Sequence, residues 1–148
     1  MIVRDVMTRD PVCCLTTDSA QQVAGILHKQ NVGSIPVVSD EASRKLIGII
    51  TDRDLCCSVV AKGLDPKSTA IEAFLSRNPA TCRESEALDH CERLMQSRQV
   101  RRIPIVDGDG RVIGIVSQAD LALKDEPEKV AKIVAAISKP QSSAPVSV

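Results

Sequence analysis

The chain repeats itself, and this repeat limits its fold more than any other feature of the sequence. Residues 6–11, Val-Met-Thr-Arg-Asp-Pro, return 68 positions later as Phe-Leu-Ser-Arg-Asn-Pro at residues 74–79. The same displacement places Ile-Pro-Val-Val at 35–38 over Ile-Pro-Ile-Val at 103–106. Two copies of one pattern in a chain of 148 residues predict two small units that complete a common core.

Each copy predicts the same order of elements: strand, helix, strand, strand, helix. In the first copy, short apolar strands are expected at residues 12–15, 34–38 and 46–50, and a polar loop between the last two suits an antiparallel hairpin. A helix is indicated in each copy by apolar residues at helical spacing, which are Val23, Ile26 and Leu27 in the first copy and Leu88, Cys91, Leu94 and Met95 in the second. The predicted fold class is α/β (α+β), with two β-α-β-β-α repeats and a C-terminal helix.

Turn residues and helix signals divide the chain into predicted parts. These are a first repeat at 1–62, a linker at 63–68, a second repeat at 69–124, a C-terminal helix at 125–139 and a flexible tail at 140–148. Residues 69–72 have a capping-box pattern, which predicts a helix leading into the second repeat. The C-terminal helix should begin near Pro127 and dock an apolar stripe on the core or on a partner subunit. The stripe consists of Val130, Ile133, Val134 and Ile137.

Charge and hydropathy argue against two classes of partner. The 19 Lys and Arg residues equal the 19 Asp and Glu residues, and the chain has no Trp, no Tyr and a single Phe. It lacks the basic excess that attracts a phosphate backbone and the aromatic platforms that stack bases, so nucleic-acid binding is not predicted. No apolar run approaches the ~20 residues of a membrane span. The first residues lack a secretory apolar stretch, so a cytoplasmic location without membrane attachment is expected.

The reactive side chains form no recognisable catalytic or metal-binding motif in the sequence. The six cysteines are Cys13, Cys14, Cys56, Cys57, Cys82 and Cys91, and none are spaced as Cys-x-x-Cys. We expect them to be small buried hydrophobic residues, and the alternative is a thiol redox sensor, which needs an exposed thiol of low pKa. His28 and His90 are expected on predicted helices, at the surface or half-buried. Neither an enzyme nor a metal site is predicted.

Two copies of a short motif give the best indication of function. Residues 48–54 and 114–120 both read Gly, two apolar residues, Thr or Ser, two variable residues and Asp. One interpretation is structural: the hydroxyl caps a helix, and the acid three residues later completes a capping box worth ~1 kcal/mol. The other is a nucleotide site, in which the glycine permits close approach and the hydroxyl and carboxylate hydrogen-bond a ribose. The presence of the motif at equivalent positions of both copies favours the nucleotide site.

These features resemble a tandem pair of CBS domains (cystathionine-β-synthase domains), also called a Bateman module. The resemblance is carried by the repeat, the Ile-Pro strands and the two motifs, and it covers about residues 1–124. It is strongest to small bacterial proteins that consist of such a pair alone. It implies two repeats related by pseudo-two-fold symmetry, with two clefts between them that each accept an adenosine-containing ligand.

The resemblance also implies roles for individual residues. Ribose would be held by Thr51 and Asp54 in one cleft and by Ser117 and Asp120 in the other. Adenine would lie between apolar residues that include Val12, Ile35, Ala80 and Ile103. Phosphate would be bound in the Thr51 cleft by Arg101 and Arg102, with Arg53 as a further cation. The first copy has Gly33 and Ser34 where the second has the arginine pair, so the Ser117 cleft is expected to lack these cations and to bind phosphate less well.

The function expected from the resemblance is a regulatory, signal-sensing module, not an enzyme, that responds to an adenosine ligand and acts on an unidentified protein. The sequence does not choose between AMP, ADP, ATP, NAD, S-adenosylmethionine and a cyclic dinucleotide, and no catalytic cofactor is expected. Self-association into a homodimer would bury apolar surface that a single pair of repeats leaves exposed. The alternatives are a ligand-independent dimeric scaffold that binds a partner protein and the thiol redox sensor.

Overall fold

The computed structural model describes residues 1–140 as two β-sheets flanked by helices. The strands are β1 (Thr8–Arg9), β2 (Cys14–Leu15), β3 (Ser34–Val38), β4 (Leu46–Thr51), β5 (Ser76–Arg77), β6 (Arg102–Val106) and β7 (Val112–Ser117). The helices are α1 (Val3–Val6), α2 (Ala20–Gln30), α3 (Asp52–Leu55) with a π-helical continuation (Cys56–Val60), α4 (Leu88–Arg98), α5 (Gln118–Lys124) and α6 (Pro127–Ser138). One sheet has the order β1-β7-β6 and the other β2-β3-β4-β5. The predicted mixed α/β class is confirmed.

A β-hairpin lies in each half of the molecule, as the repeat predicts. β3 has the predicted bounds, and β4 runs one residue past its predicted end, to Thr51. The two hairpins have equivalent registers, since Pro36 lies opposite Ile49 in the first and Pro104 opposite Ile115 in the second. The halves are therefore copies in structure as well as in sequence.

The first strand of each copy is shorter than predicted. β2 contains only Cys14 and Leu15, and it pairs in parallel with β3. It ends there because the Leu15 N–H donates a hydrogen bond of 2.9 Å to the Asp18 carboxylate, which turns the chain. In the second copy the equivalent residue, Cys82, makes an isolated bridge to Ile105.

The two halves exchange short strands. β1, from the first repeat, pairs with β7 of the second, where Thr8 lies opposite Ile115. β5, from the second repeat, pairs with β4 of the first, where Ser76 lies opposite Ile49. The exchange reaches the cores as well. Val3, Val6 and Met7 are buried in the core of the second repeat, and Ile71 and Leu75 in the core of the first.

The glycines of the two repeated motifs lie beside the exchanged strands, Gly48 next to β5 and Gly114 next to β1. A Cβ atom at Gly48 would lie 2.3 Å from the carbonyl oxygen of Ser76 in β5. A Cβ atom at Gly114 would lie 2.7 Å from Sδ of Met7 and 3.1 Å from the carbonyl oxygen of Thr8 in β1. Each glycine therefore makes room for a neighbouring strand. This corrects the expectation that these glycines serve the approach of a nucleotide.

The prediction of a helix that begins at residues 69–72 is wrong. A single 3-10 turn, Ile71–Ala73, is present instead. The backbone before it is already paired with the start of α2, since the Ala20 N–H donates to the Thr69 carbonyl at 2.8 Å. The Ile71 N–H likewise donates to the Asp18 carbonyl at 3.0 Å. These two bonds attach residues 69–71 to the start of α2, and Ala70 has an extended backbone there, so no helix begins before Ile71.

The C-terminal helix packs on the second repeat, which is one of the two predicted alternatives. α6 begins at the predicted Pro127. The predicted stripe faces the second core, where Val130, Ile133 and Ile137 are buried and Val134 is partly buried. The tail predicted at 140–148 lies outside the described residues, apart from Pro140. Within residues 1–140, no helix combines the length and the apolar character needed to cross a membrane.

A buried carboxyl group joins α6 to α4. Glu92 on α4 is 2% exposed, and Nζ of Lys129 on α6 lies 2.9 Å from its Oε2 atom. Burial and a hydrogen bond to Asp125 raise the pKa of Glu92 to about 7, although Lys129 acts in the opposite direction. The same hydrogen bond lowers the pKa of Asp125. Within the described chain, Oε1 of Glu92 and Oδ2 of Asp125 are buried without another hydrogen-bond partner, so a proton carried by Glu92 satisfies both.

Candidate functional site

Two clefts lie between the repeats, beside the carboxyl ends of β4 and β7. The first has a volume of about 730 Å³ and the second of about 510 Å³. Both volumes fall within the range of small-molecule sites, which is roughly 300–1,000 Å³. The clefts have the positions that the resemblance implies for ligands.

The first cleft collects side chains from both repeats. The predicted ligand-binding residues that line it are Thr51, Arg53, Ala80, Arg101 and Arg102. Thr51 ends β4, and Ala80 follows β5 of the second repeat. The arginine pair stands at the start of β6, also in the second repeat. A hydroxyl, an apolar surface and cations are therefore brought together in one cleft.

The second cleft has an equivalent lining with fewer cations. The predicted residues that line it are Val12, Ile35, Ser117 and Asp120. Val12 precedes β2, and Ile35 lies in β3. Ser117 ends β7, as Thr51 ends β4. This cleft therefore also combines residues from the two repeats.

Two predicted residues lie outside the lining of both clefts. Ile103 is fully buried in the core beneath β6. Asp54 does not line the first cleft, whose lining contains Asp52 instead. For both residues, contact with a ligand stays a prediction.

The capping interpretation of the two motifs is confirmed. The Asp54 N–H donates to Oγ1 of Thr51 at 3.0 Å, and the Thr51 N–H donates to Oδ2 of Asp54 at 2.9 Å. Ser117 and Asp120 make the same reciprocal pair, at 3.1 and 2.8 Å. Each hydroxyl accepts one bond here and keeps its own proton for a further acceptor. Asp120 differs from Asp54, because its Oδ1 atom also accepts a bond of 3.3 Å from the hydroxyl of Thr8.

The two arginines of the pair differ in which clefts they line, and the sequence does not show this difference. Arg101 lines the first cleft, while Arg102 lines both. Arg102 packs beside Gly33, since its guanidinium nitrogens would lie 3.6 Å from a Cβ atom there, which is an ordinary contact distance. The expectation that the Ser117 cleft lacks both cations is therefore wrong for Arg102, and Arg9 lines this cleft as well.

The charge of the two linings still differs. The first contains four arginines, Arg53, Arg98, Arg101 and Arg102, against one carboxylate, Asp52. The second contains two arginines, Arg9 and Arg102, against two carboxylates, Asp10 and Asp120. The first cleft therefore has a formal excess of positive charge, whereas the second is balanced.

Ser34 was not among the predicted site residues, although it lines both clefts. It is 5% exposed, and its hydroxyl is without a hydrogen-bond partner among the described residues. Ser34 is the repeat equivalent of Arg102, which also lines both clefts. The alignment of the repeats was the signal that could have indicated it.

The cysteines fall into two groups. Cys14, Cys82 and Cys91 are buried, as predicted, and Cys13 is half-buried. Burial raises the pKa of Cys14 to about 12, which makes its thiol a poor nucleophile at neutral pH. Cys56 and Cys57 are exposed on the π-helical turn, so the expectation of burial is wrong for this pair. Leu55 and Val59 of this segment face the first core, and the two cysteines between them point away from it.

The sequence profile of the CBS domain matches residues 3–60 and again 71–125. The chain belongs to the CBS domain family. Among its relatives, an uncharacterised protein of Methanopyrus kandleri is 34% identical over 131 residues, which are 88% of this chain and 65% of that protein. Hypoxic response protein 1 of Mycobacterium tuberculosis is 30% identical over 142 residues, covering 95% of this chain and 96% of that protein.

Solved structures of CBS domain proteins have the same fold. The CBS domain pair of protein MJ0100, in complex with 5'-methylthioadenosine and S-adenosyl-L-methionine, is 32% identical, with a TM-score of 0.73 over 83% of this chain and 98% of that one. A structure of Hypoxic Response Protein I with two coordinated zinc ions is 25% identical, with a TM-score of 0.75 over 85% of this chain and 100% of that one. These similarities confirm the predicted pair of CBS repeats.

Proposed function

We propose that this CBS domain pair is a regulatory module that binds adenosine-containing ligands in its two clefts. Each cleft contains a hydroxyl, of Thr51 or Ser117, that can donate its proton to a ligand, and Arg102 lines both clefts. The ligand class is supported by the MJ0100 pair, which binds two adenosine derivatives. In this proposal the chain senses a ligand and acts through another protein, without a reaction of its own.

The difference in charge between the clefts carries the more specific part of the proposal. Four arginines against one carboxylate suit an adenine nucleotide with a phosphate group in the first cleft. The balanced lining of the second suits an adenosine derivative without a phosphate. This keeps the expectation of unequal clefts but assigns it to Arg53, Arg98 and Arg101 rather than to the arginine pair alone.

The proposed roles follow from position. Arg101 and Arg102 bind phosphate in the first cleft, Thr51 bonds the ribose, and Asp54 holds Thr51 in place through their reciprocal bonds. Ser117 and Asp120 hold the ribose in the second cleft. Adenine packs beside Ala80 in the first cleft, and beside Val12 and Ile35 in the second.

The experiment is a calorimetric titration of the purified, ligand-free protein with AMP, ATP, adenosine, 5'-methylthioadenosine and S-adenosylmethionine. A charge-assisted bond to phosphate contributes roughly 1.5–3 kcal/mol, so Arg101→Ala should weaken AMP binding about tenfold or more. Adenosine and methylthioadenosine should bind this variant as they bind the original chain. The matched control is Arg93→Ala, which removes an exposed arginine on α4 that belongs to neither cleft lining.

The outcomes separate the candidate functions. AMP binding that Arg101→Ala weakens and Arg93→Ala does not would support a nucleotide-binding first cleft. Equal affinity of both clefts for AMP would contradict the charge argument. If none of these ligands bound a chain shown to be ligand-free, the clefts would be vestigial and a scaffold that binds a partner protein would replace the sensor.

Homodimer formation is part of the proposal and has a candidate surface. Val60, at the end of the π-helical turn, is 73% exposed, and Leu123 on α5 is 85% exposed. Leu123 is the more exposed of the two, so a homodimer that covers it would remove the most apolar surface from water there. Light scattering should therefore give the mass of a dimer for the original chain and of a monomer for Leu123→Glu.

A further inference from the structure

Three side chains that bind metals in proteins converge away from both clefts. They are Cys82, which bridges to β6, Glu86, which precedes α4, and His90 in the first turn of α4. Their ligand atoms, one sulfur, one carboxylate oxygen and one ring nitrogen, lie within 4.8 Å of one another. Cys82 is buried, Glu86 is half-buried and His90 is exposed, so the cluster has a buried floor and an opening to solvent.

The geometry is close to that of a transition-metal site. Zinc binds sulfur at about 2.3 Å and nitrogen or oxygen at about 2.0–2.2 Å, which places tetrahedral ligand atoms roughly 3.5 Å apart. A contraction of about 1 Å from the separation of 4.8 Å is therefore enough. Glu86 and His90 have the exposure to make it by side-chain rotation. The combination of thiolate, imidazole and carboxylate favours zinc-like ions over calcium or magnesium, which prefer oxygen ligands.

The surrounding structure holds the ligands in place. The Cys82 N–H donates to the Pro104 carbonyl at 3.3 Å, and the Cys82 carbonyl accepts from Val106 at 3.0 Å, so this residue is fixed to β6. The Glu86 carboxylate accepts a bond of 2.8 Å from the Arg83 N–H. Such outer bonds orient and tune metal ligands. Behind the cluster, the buried Cys91 of α4 belongs to the same core as Cys82.

We propose that Cys82, Glu86 and His90 form a binding site for one divalent transition-metal ion of the zinc class, with a water molecule as the fourth ligand. The spacing Cys-x-x-x-Glu-x-x-x-His places one ligand on each of three successive segments, which explains why a search for cysteine pairs misses it. The proposal is independent of ligand binding in the clefts.

The site would also act on the exchanged N-terminal segment. The Val3 N–H donates to the Glu86 carbonyl at 2.9 Å, and the Arg4 N–H donates to the Glu84 carbonyl at 2.9 Å. Arg4 and Glu84 also form an ion pair of 3.0 Å. A metal ion that rigidifies residues 82–86 would therefore stabilise the attachment of α1 to the second repeat.

The test uses cobalt(II) as a spectroscopic probe, followed by zinc competition, on the full chain purified with a chelator and a reductant. A thiolate ligand to cobalt gives a charge-transfer band that exposed carboxylates and histidines do not give. Glu86→Gln and His90→Ala alter side chains with solvent access and should fold, as circular dichroism would check. Cys82→Ser identifies the thiolate. The controls are the double variant Cys56→Ser/Cys57→Ser, which removes the exposed thiols, and His28→Ala, which removes the other histidine.

The expected result is one equivalent of cobalt with a charge-transfer band that zinc abolishes by displacement. Both controls should keep the band, Cys82→Ser should lose it, and Glu86→Gln and His90→Ala should each lower the affinity about tenfold or more. Two results would overturn the proposal: the absence of saturable binding, or binding that disappears in the Cys56→Ser/Cys57→Ser variant and persists in Cys82→Ser.

Discussion

Replacement of Gly48 by alanine should destabilise the protein by ~2 kcal/mol, because the new methyl group would collide with an exchanged strand. The added carbon would lie 2.3 Å from the Ser76 carbonyl oxygen and 2.5 Å from Cδ1 of Leu75. The leucine can rotate, but the carbonyl belongs to the backbone of β5, which must move by about 1 Å to reach ordinary contact at 3.4 Å. Overpacking of this kind costs ~1–3 kcal/mol. We take the upper end of this range, because backbone must move. From it we subtract ~0.5–1 kcal/mol, because alanine has a lower chain entropy than glycine in the unfolded state and so favours folding.

Two other glycines provide matched controls. At Gly114 the nearest atom, 2.7 Å away, is Sδ of Met7, and the nearest backbone atom, the Thr8 carbonyl oxygen, is 3.1 Å away. Gly114→Ala therefore needs a smaller backbone shift and should cost less stability than Gly48→Ala. At Gly25, on the exposed face of α2, no atom lies within 4 Å of an added Cβ in the described structure. Gly25→Ala should therefore stabilise the protein by ~0.5–1 kcal/mol through helix propensity.

Urea unfolding and thermal unfolding measure all three variants. For a chain of this size, 1 kcal/mol corresponds to roughly 2–4 °C, so Gly48→Ala should lower Tm by ~4–8 °C. The reasoning would be refuted if Gly48→Ala unfolded with the original chain, or if it lost no more stability than Gly114→Ala. Either result would mean that β5 does not pack against Gly48.

The remaining predictions concern α6 and the clefts. The pKa of Glu92 is about 7 in the folded chain against an ordinary 4.5, so the folded state holds the extra proton and stability falls as pH rises from about 4.5 to 7. Glu92→Gln should remove this fall, which amounts to at most ~3 kcal/mol, as urea unfolding at about pH 5 and pH 8 would measure. Ile133→Ala truncates a side chain that is 1% exposed and should cost ~2–5 kcal/mol in a single unfolding transition; a separate early transition would show that α6 is not part of the second core. Arg102→Ala should weaken phosphate ligands in either cleft, whereas Arg101→Ala should act on the first alone; equal effects of the two variants in calorimetry would contradict the shared position of Arg102.

Local patterns predicted the parts of the fold that depend on local forces. The hairpins, α2, α4 and α6 follow from apolar spacing and turn residues, and the two capping boxes follow from hydroxyl and acid three residues apart. The exchange of β1 and β5 was not predictable in this way, because two-residue strands carry almost no periodic signal. The exchange is what gives Gly48 and Gly114 their role, so an isolated reading of the motifs attributed both glycines to a ligand.

In the clefts, too, features set by neighbouring residues could be predicted from the sequence, and features set by contacts between the repeats could not. Thr51 and Ser117 were predicted as helix caps or ribose ligands because each follows a predicted strand in a repeated motif, and both line a cleft. The position of Arg102 between the clefts depends on the packing of one repeat against the other, which brings its guanidinium beside Gly33. The buried Glu92 was missed for a related reason: its partners Asp125 and Lys129 lie more than 30 residues away in the sequence.

The strand exchange also has a consequence for the order in which the chain can fold on the ribosome. Thr8 of β1 pairs with Ile115 of β7, so β1 waits for a partner strand that is synthesised more than 100 residues later. During that time α1 exposes Val3 and Val6, which later become fully buried. Contacts between such distant residues slow folding and lengthen the exposure of apolar surface. The first repeat, by contrast, needs only β5 to complete its sheet, so we expect it to gain protease resistance in a nascent chain once β5 has left the exit tunnel.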